Sequence, residues 1–277
     1  MKPVLTQFAD LLRSSQSPDL SVMALQVARI EYPDLNFTPY LKQLDEMADC
    51  VRAVAGRSAL VLDVIDALND HLYVELGFKG NTGDYYDPRN SLLNDVIDRR
   101  LGIPITLSIV YLALARRLGL AANGVSFPAH FLIRVELGPQ PLILDPFNDG
   151  QILAAKDLRV LLQSSGMSGV NVPLKQVLGA TSDTDVISRV LRNLKRIYLE
   201  REDAVRSLPV VEHLLALEPD AVGEIRDRGY LYQALECYDA ARVDFERYLE
   251  LAPFAADGEQ IRGRCRDLAN DNAKQLH

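Results

Sequence analysis

Gly102-Ile103-Pro104-Ile105-Thr106-Leu107-Ser108-Ile109-Val110-Tyr111-Leu112-Ala113-Leu114-Ala115-Arg116-Arg117-Leu118-Gly119 is the stretch on which the reading of the fold turns. From Ile103 to Ala115 only Thr106 and Ser108 break its apolar character. A helix apolar on every side is a buried one. Pro104 suits the first turn, where an N–H would have no helical partner in any case, and Gly119 supplies the stop. The apolar run from Leu101 to Ala115 falls short of the ~20 residues that a membrane crossing needs. Arg99-Arg100 and Arg116-Arg117 bracket it. The spacing therefore predicts a core helix over about 104–118.

Downstream, Phe131-Leu132-Ile133-Arg134-Val135-Glu136-Leu137 reads as a strand, with polar positions alternating at 134 and 136. Gly138-Pro139-Gln140 makes a turn, and Leu142-Ile143-Leu144-Asp145 returns as the antiparallel partner. His130 then stands at the mouth of the first strand and Asp145 at the far end of the second. Upstream, residues 77–91 hold three Gly, two Asn and a Pro in fifteen positions and read as a loop. A further helix is expected to begin at Asn90 or Ser91.

The first 80 residues read as a helical layer. Ser17-Pro18-Asp19 breaks an initial segment, Leu20–Ile30 runs helically to Tyr32-Pro33, and a helix over about 38–54 is ended by Gly56. Its inner face carries Tyr40, Leu41, Leu44, Met47, Ala48 and Val51, at steps of three and four. Cys50 is expected to be a small, partly buried residue there. A third helix, about 59–76, has Leu60, Ile65, Leu68, Leu72 and Leu76 on its inner side. Residues 154–183, with Ser164-Ser165-Gly166 and Gly169, read as a partly ordered connection.

Beyond residue 184 the chain is helical and repetitive. Pro219 and Pro253 are 34 residues apart, the tetratricopeptide period. With both prolines at the closing position, Gly229, Tyr232, Ala241 and Phe245 fall on the small and aromatic sites of a unit spanning about 222–255. The preceding unit, about 188–221, keeps Tyr198 and Pro219 but has Lys195 where a small residue belongs. A helix from about Gly258 to Leu276 resembles a polar cap. Two units fall short of the ~3 repeats that stand alone, so this segment is expected to dock on the preceding domain. The expected organisation is a helical layer over 1–80 packed with a core over 81–183, then helices over 184–277.

Composition narrows the function. The chain has 277 residues, 48% of them hydrophobic, and a formal net charge of −8. Such an acidic balance, without a basic stripe, argues against a nucleic-acid partner. Three scattered Cys, at 50, 237 and 265, make neither a disulfide framework nor a zinc module. No metal, no cofactor and no membrane partner is expected. The opening residues lack the apolar core of a secretory signal, and a cytoplasmic protein is the expectation.

His130 and Asp145 are the first chemical candidates. Cross-strand neighbours lie ~5 Å apart, and an acid held against a histidine sets its tautomer and orientation. Such a pair can also be purely structural. The segments Gly102-Ile103-Pro104, Gly119-Leu120, Pro128-Ala129-His130-Phe131 and Leu144-Asp145-Pro146-Phe147 together resemble the core of the transglutaminase-like superfamily. More closely, Gly77-Phe78-Lys79-Gly80-Asn81, Asp84 to Ser91, Arg100 to Pro104 and Phe127 to Phe131 resemble the SirB-type bacterial proteins, which add tetratricopeptide units to that core. The resemblance implies an α+β, mostly helical, papain-related fold with a small antiparallel sheet. It also implies a Cys-His-Asp triad, with His130 and Asp145 as two members.

The resemblance puts the nucleophilic Cys at the helix start, on Pro104, 15 residues before Gly119. Pro, Ile103 and Ile105 offer no nucleophile. Thr106 and Ser108 lie within a turn of it but point elsewhere, at ~100° per residue. His130 and Asp145 are then a remnant pair, and a pseudoenzyme that binds a protein or peptide partner in a regulatory or scaffolding role is the primary expectation. The alternative is a hydrolase or acyl-transfer enzyme in which His130 activates water or a hydroxyl. Tyr85, Tyr86, Asp87, Asn90 and Asn94 are the candidate binding residues, although helix capping and turn chemistry account for part of that set. Arg99-Arg100 reads as a solvated pair, and Asn148-Asp149-Gly150 as a turn without a further role.

Overall fold

A computed structural model describes residues 2–14, 18–56, 60–138, 140–165 and 173–275. The expected turn or break residues Ser17, Pro139, Gly166 and Gly169, and the helix-end residues Ala59 and Leu276, lie outside them. The fold is α+β and mostly helical. Two compact units are formed, one of Ser17–Val190 and one of Met1–Gln16 with Leu191–His277.

The first unit opens with α2 (Leu20–Ala28), α1 (Lys2–Arg13) belonging to the other. Asp19 caps α2 by accepting from the N–H groups of Ser21 and Val22. Then come α3 (Thr38–Ala55) and α4 (Val61–Asn69), which passes into a π-helical turn at Asp70–Glu75. On α3 the buried set is Leu44, Ala48 and Val51, and Gly56 ends the helix at φ +82°. Cys50 is exposed, against expectation, because it stands ~100° around the helix from Val51. Leu60 is also outside, 72% exposed, since the helix begins only after it.

The loop 77–91 is not irregular throughout. β1 (Lys79–Gly80) pairs in parallel with β2 (Leu101–Gly102), and Pro88–Ser91 form a 3₁₀ turn before α5 (Leu93–Arg99). That helix therefore starts later than expected. Of the expected solvated pair, Arg100 is exposed and Arg99 is not. Arg99 meets buried Asp87 at 3.2 Å, while Arg100, at φ 56°, donates to the Leu76 carbonyl at 2.7 Å.

α6 (Pro104–Arg117) is the central helix, buried from Pro104 through Ala115. Over it lies a four-stranded antiparallel sheet ordered β3-β4-β5-β6, from β3 (Ala122–Val125), β4 (Leu132–Val135), β5 (Leu142–Asp145) and β6 (Gln151–Ile152). The expected hairpin is its centre, with Ile133 opposite Leu144. The supposed connection after 154 contains α7 (Ala155–Ser164) and α8 (Leu174–Val177), and Leu158 and Leu162 of α7 pack with Val125, Phe127, Leu132 and Ile143. Among the described residues no helix is long and apolar enough to cross a membrane.

α9 (Asp183–Glu200) carries residues of both units. The second unit continues with α10 (Ala204–Leu217), α11 (Val222–Ala234), α12 (Tyr238–Leu251) and α13 (Gly258–Gln275). α11 and α12 form the expected repeat. A Cβ on Gly229 would lie 2.6 Å from the buried Phe245 ring, which is why the small site must be small. Lys195, out of pattern in α9, reaches across to Glu224 (2.6 Å) and Asp227. A cleft of about 360 Å³ is lined by Leu199, Ala204, Tyr230 and Leu231 with the carboxylates of Glu202 and Asp227.

The first helix belongs here and not to the N-terminal layer. α1 packs on α10, burying Phe8 with its ring 4.9 Å from that of His213. His213 Nδ1–H donates to the Pro209 carbonyl at 2.7 Å, which leaves Nε2 buried without a partner. Burial pulls the His213 pKa below 6.5, against the Pro209 hydrogen bond. A depressed histidine contributes stability that is intact above the unfolded value and lost as pH falls. The second unit is therefore expected to weaken as pH drops below about 6.5, with His213→Gln flattening that slope in pH-dependent urea unfolding.

Candidate functional site

The His130–Asp145 pair stands at the entry to β4 and the exit of β5, and β4 and the turn after β5 both pack on α6. Ala129, just before His130, takes φ 54°. A non-glycine residue rarely adopts that left-handed conformation, and here it turns the chain sharply into the strand. His130 Nε2 lies 2.8 Å from Asp145 Oδ1, with the two side chains 13% and 2% exposed. The oxygen is not aligned with a ring N–H, so Nε2 remains a buried atom without a hydrogen-bond partner. The two side chains touch without a well-formed hydrogen bond.

Asp145 is fixed from its other side. Oδ1 accepts from the Phe147 N–H at 3.0 Å and Oδ2 from the Asn148 amide at 2.7 Å. Burial pushes its pKa up, but His130, Asn148 and the Phe147 N–H together hold it below 3.8. Asn148 thus has a role beyond the turn assigned to it. The Phe147 ring stands edge-on to His130, 6.0 Å between centroids, and fills the space over Gly80, where a Cβ would come within 2.4 Å of the ring. Asn69 Nδ2 ties the far side of the turn by donating to the Gly150 carbonyl at 3.2 Å.

The start of α6 holds no nucleophile. Pro104 is its first residue. The Thr106 hydroxyl donates to the Asn90 carbonyl at 2.6 Å while accepting from the Ile103 N–H at 3.1 Å. The Ser108 hydroxyl donates back to the Pro104 carbonyl at 2.8 Å. Both hydroxyls are buried and engaged, and neither bonds to His130. Of the cysteines, Cys50 and Cys237 are exposed and Cys265 is half-buried on α13.

The loop residues divide into frame and surface. Asp87, 5% exposed, accepts from the Arg89 N–H and guanidinium and meets Arg99; burial pushes its pKa up, and these partners pull it below 3.8. Asn90 is fully buried, its amide donating to the carbonyls of Asp84 (2.7 Å) and Tyr85 (3.2 Å), its oxygen accepting from Asn81 (3.1 Å). Asn94 is buried with Oδ1 unpartnered. Tyr85 and Tyr86, 36% and 49% exposed, meet edge to face at 5.4 Å. Of the five loop candidates, these two are the ones presented to solvent.

Sequence reasoning missed Arg189 of α9. Its Nη2 donates to the His130 carbonyl and its Nη1 to Ser126 Oγ, both at 2.7 Å, and the guanidinium lies 5.4 Å from the Phe131 ring centroid. At 59 residues from His130, a single Arg in a helical pattern carries no local signal. Asn148 was within reach: Asp145-Pro146-Phe147-Asn148 is a run in which an Asp side chain bonds locally.

Comparison with known proteins agrees with this geometry. The transglutaminase-like superfamily matches residues 38–192, and a tetratricopeptide repeat family matches residues 194–266. A UPF0162 protein of Xylella fastidiosa is 38% identical over 252 residues, 90% of this chain and 89% of that one. Protein SirB1 of Salmonella typhimurium is 29% identical over 256 residues, 91% of this chain and 92% of that one. The human F-box only protein 21 is 32% identical over 196 residues, 64% of this chain but 30% of that protein. On the span of the match, the helix-and-hairpin core and the paired His130 and Asp145, the chain belongs to the transglutaminase-like superfamily, with tetratricopeptide helices following the core.

Proposed function

We propose that the protein is a non-catalytic, cytoplasmic member of this superfamily that binds a protein or peptide partner in a regulatory or scaffolding role. The observation that supports the reading is the start of α6: Pro104, at the position the resemblance gives to the nucleophile, has none to offer, and both nearby hydroxyls are engaged in buried hydrogen bonds. Nucleophilic catalysis needs an attacking group within hydrogen-bond reach of its base, and among the described residues no hydroxyl or thiol bonds to the His130 ring. Two surfaces suit a partner. The exposed Tyr85–Tyr86 pair offers rigid aromatic contact of the kind that anchors interfaces, and helical repeats form concave faces for peptides. The cleft between α9, α10 and α11 adds an apolar slot with two carboxylates.

A second reading is favoured by the paired His130 and Asp145: a hydrolase or acyl-transfer enzyme with water as nucleophile and His130 as its base. His130→Ala separates the two. The binding reading expects the variant to fold and to recover the same partners as the wild type from cells. A wild-type ester- or amide-cleaving turnover that falls more than about 100-fold in the variant would overturn it.

A further inference from the structure

We infer that Arg189, beside the His130–Asp145 pair, is the anchor of a site for a peptide carboxylate. The inference deepens the binding reading by naming the chemistry that the core surface recognises. Arg116 and Arg134 of the same unit each hold a carboxylate, Asp183 and Glu136. Arg189 holds none among the described residues, and positions 17, 57–59, 139 and 166–172 contain no Asp or Glu. Its two hydrogen bonds go to neutral oxygens, the His130 carbonyl and the Ser126 hydroxyl. Guanidinium has five N–H donors in a planar fork, so most of them have no acceptor here.

The surroundings make this an organised site rather than a loose surface charge. The head group is half-buried, held at two points and set near the buried Phe131 ring. Burial lowers its pKa from the ordinary arginine value, with Tyr85 opposing; arginine stays charged throughout the working range. A partly desolvated cation without a counter-charge is costly, and an anion arriving at the fork would offset that cost. Ser126, which accepts from it, and Ala129, next to His130 in sequence, are exposed.

Local charge selects the ligand. A single guanidinium, on the His130 carbonyl, carries one positive charge. A dianion such as phosphate carries more charge than one guanidinium offsets, whereas a carboxylate matches it in charge and fork geometry. The Tyr85 phenol acts on Arg189 electrostatically, and its ring is partly exposed. A peptide bearing a carboxylate beside an apolar residue fits both features.

The test titrates the full-length protein with three capped dipeptides: N-acetyl-Ala-Phe as the free acid, the same peptide as its C-terminal amide, and N-acetyl-Asp-Phe amide. Binding is followed by NMR at the Arg189 Nε–H and the His130 ring. At least one acid-bearing probe is expected to bind ~10-fold or more tightly than the uncharged amide, and which one does so distinguishes a chain terminus from an acidic side chain. Arg189→Gln is expected to abolish the preference, and Arg189→Lys to restore part of it. Unchanged His130 ring resonances in both variants would show that the site still folds. Equal binding of all three probes, no response at Arg189, or a preference that survives in Arg189→Gln would overturn the assignment. A wild type that ignores carboxylates yet holds its partner sinks this site alone; one that binds carboxylates yet holds no partner sinks the interaction reading alone.

Discussion

Asp145→Ala is expected to destabilise the first unit by about 3–5 kcal/mol, the scale for removing one member of a buried charged network. The substitution takes the buried acceptor away from two donors, the half-buried Phe147 N–H and the amide of exposed Asn148, and leaves His130 without its acid. Asn148 and the 3₁₀ turn Pro146–Asn148 then lose the group that closes them, and with them goes the seat of the Phe147 ring over Gly80. Asp145→Asn keeps the volume and one acceptor, so it is expected to cost less, about 1.5–3 kcal/mol. The pH dependence identifies the cause. Because the Asp145 pKa is held below 3.8 in the fold, its contribution is present above that value and lost as pH falls through the lower folded value. The gap between wild type and Asp145→Asn in urea unfolding should therefore be full at neutral pH and shrink below about pH 4. A gap independent of pH would mean that shape, not charge, holds the turn.

What could be read from residues alone, and what could not, follows the range of the interactions. α6 was legible because twelve consecutive positions share one burial state, and Pro104 and Gly119 punctuate it. The hairpin was legible because alternation at 134 and 136 and a Gly turn are local signals. β1 and β2 were not: two residues are too few for a period, and their pairing joins positions 22 apart. The N-terminal helix was recognisable as a helix, but nothing within it tells that Phe8 will be buried on α10. In the candidate site the same division holds. His130 and Asp145 came from hairpin geometry, while Asp87 and Asn90 proved to be frame, since the partners that consume them, Arg99 and Asn81, are set by the folded loop. Arg189 was invisible because its bond is to a backbone carbonyl, and any residue at 130 would supply that oxygen.

Phe245→Ala should have an effect of the same size in the second unit, about 3–5 kcal/mol, the usual cost of truncating a buried Phe. The ring is fully buried and packs edge-on to Tyr230 at 5.1 Å, at the centre of the cluster containing Val211, Leu231, Ala241 and Ile261. Its other neighbour is Gly229, which has no side chain to swing into the space the ring vacates. The cavity therefore stays open, which puts the cost at the upper end of the range. The same geometry predicts a reversal of sign at position 229. In the wild type, Gly229→Ala drives a Cβ to 2.6 Å from the ring and is destabilising. In the Phe245→Ala background that clash is gone, and Ala is better than Gly inside a helix by about 0.8–1.0 kcal/mol. There the substitution should be neutral or stabilising, giving a coupling of more than about 1 kcal/mol in a double-mutant cycle. Hydrogen exchange across α11 and α12 isolates the effect to this hairpin. Additive free energies would show that Gly229 is small for some reason other than the Phe245 ring, and would remove the packing argument for the repeat at its two most diagnostic positions.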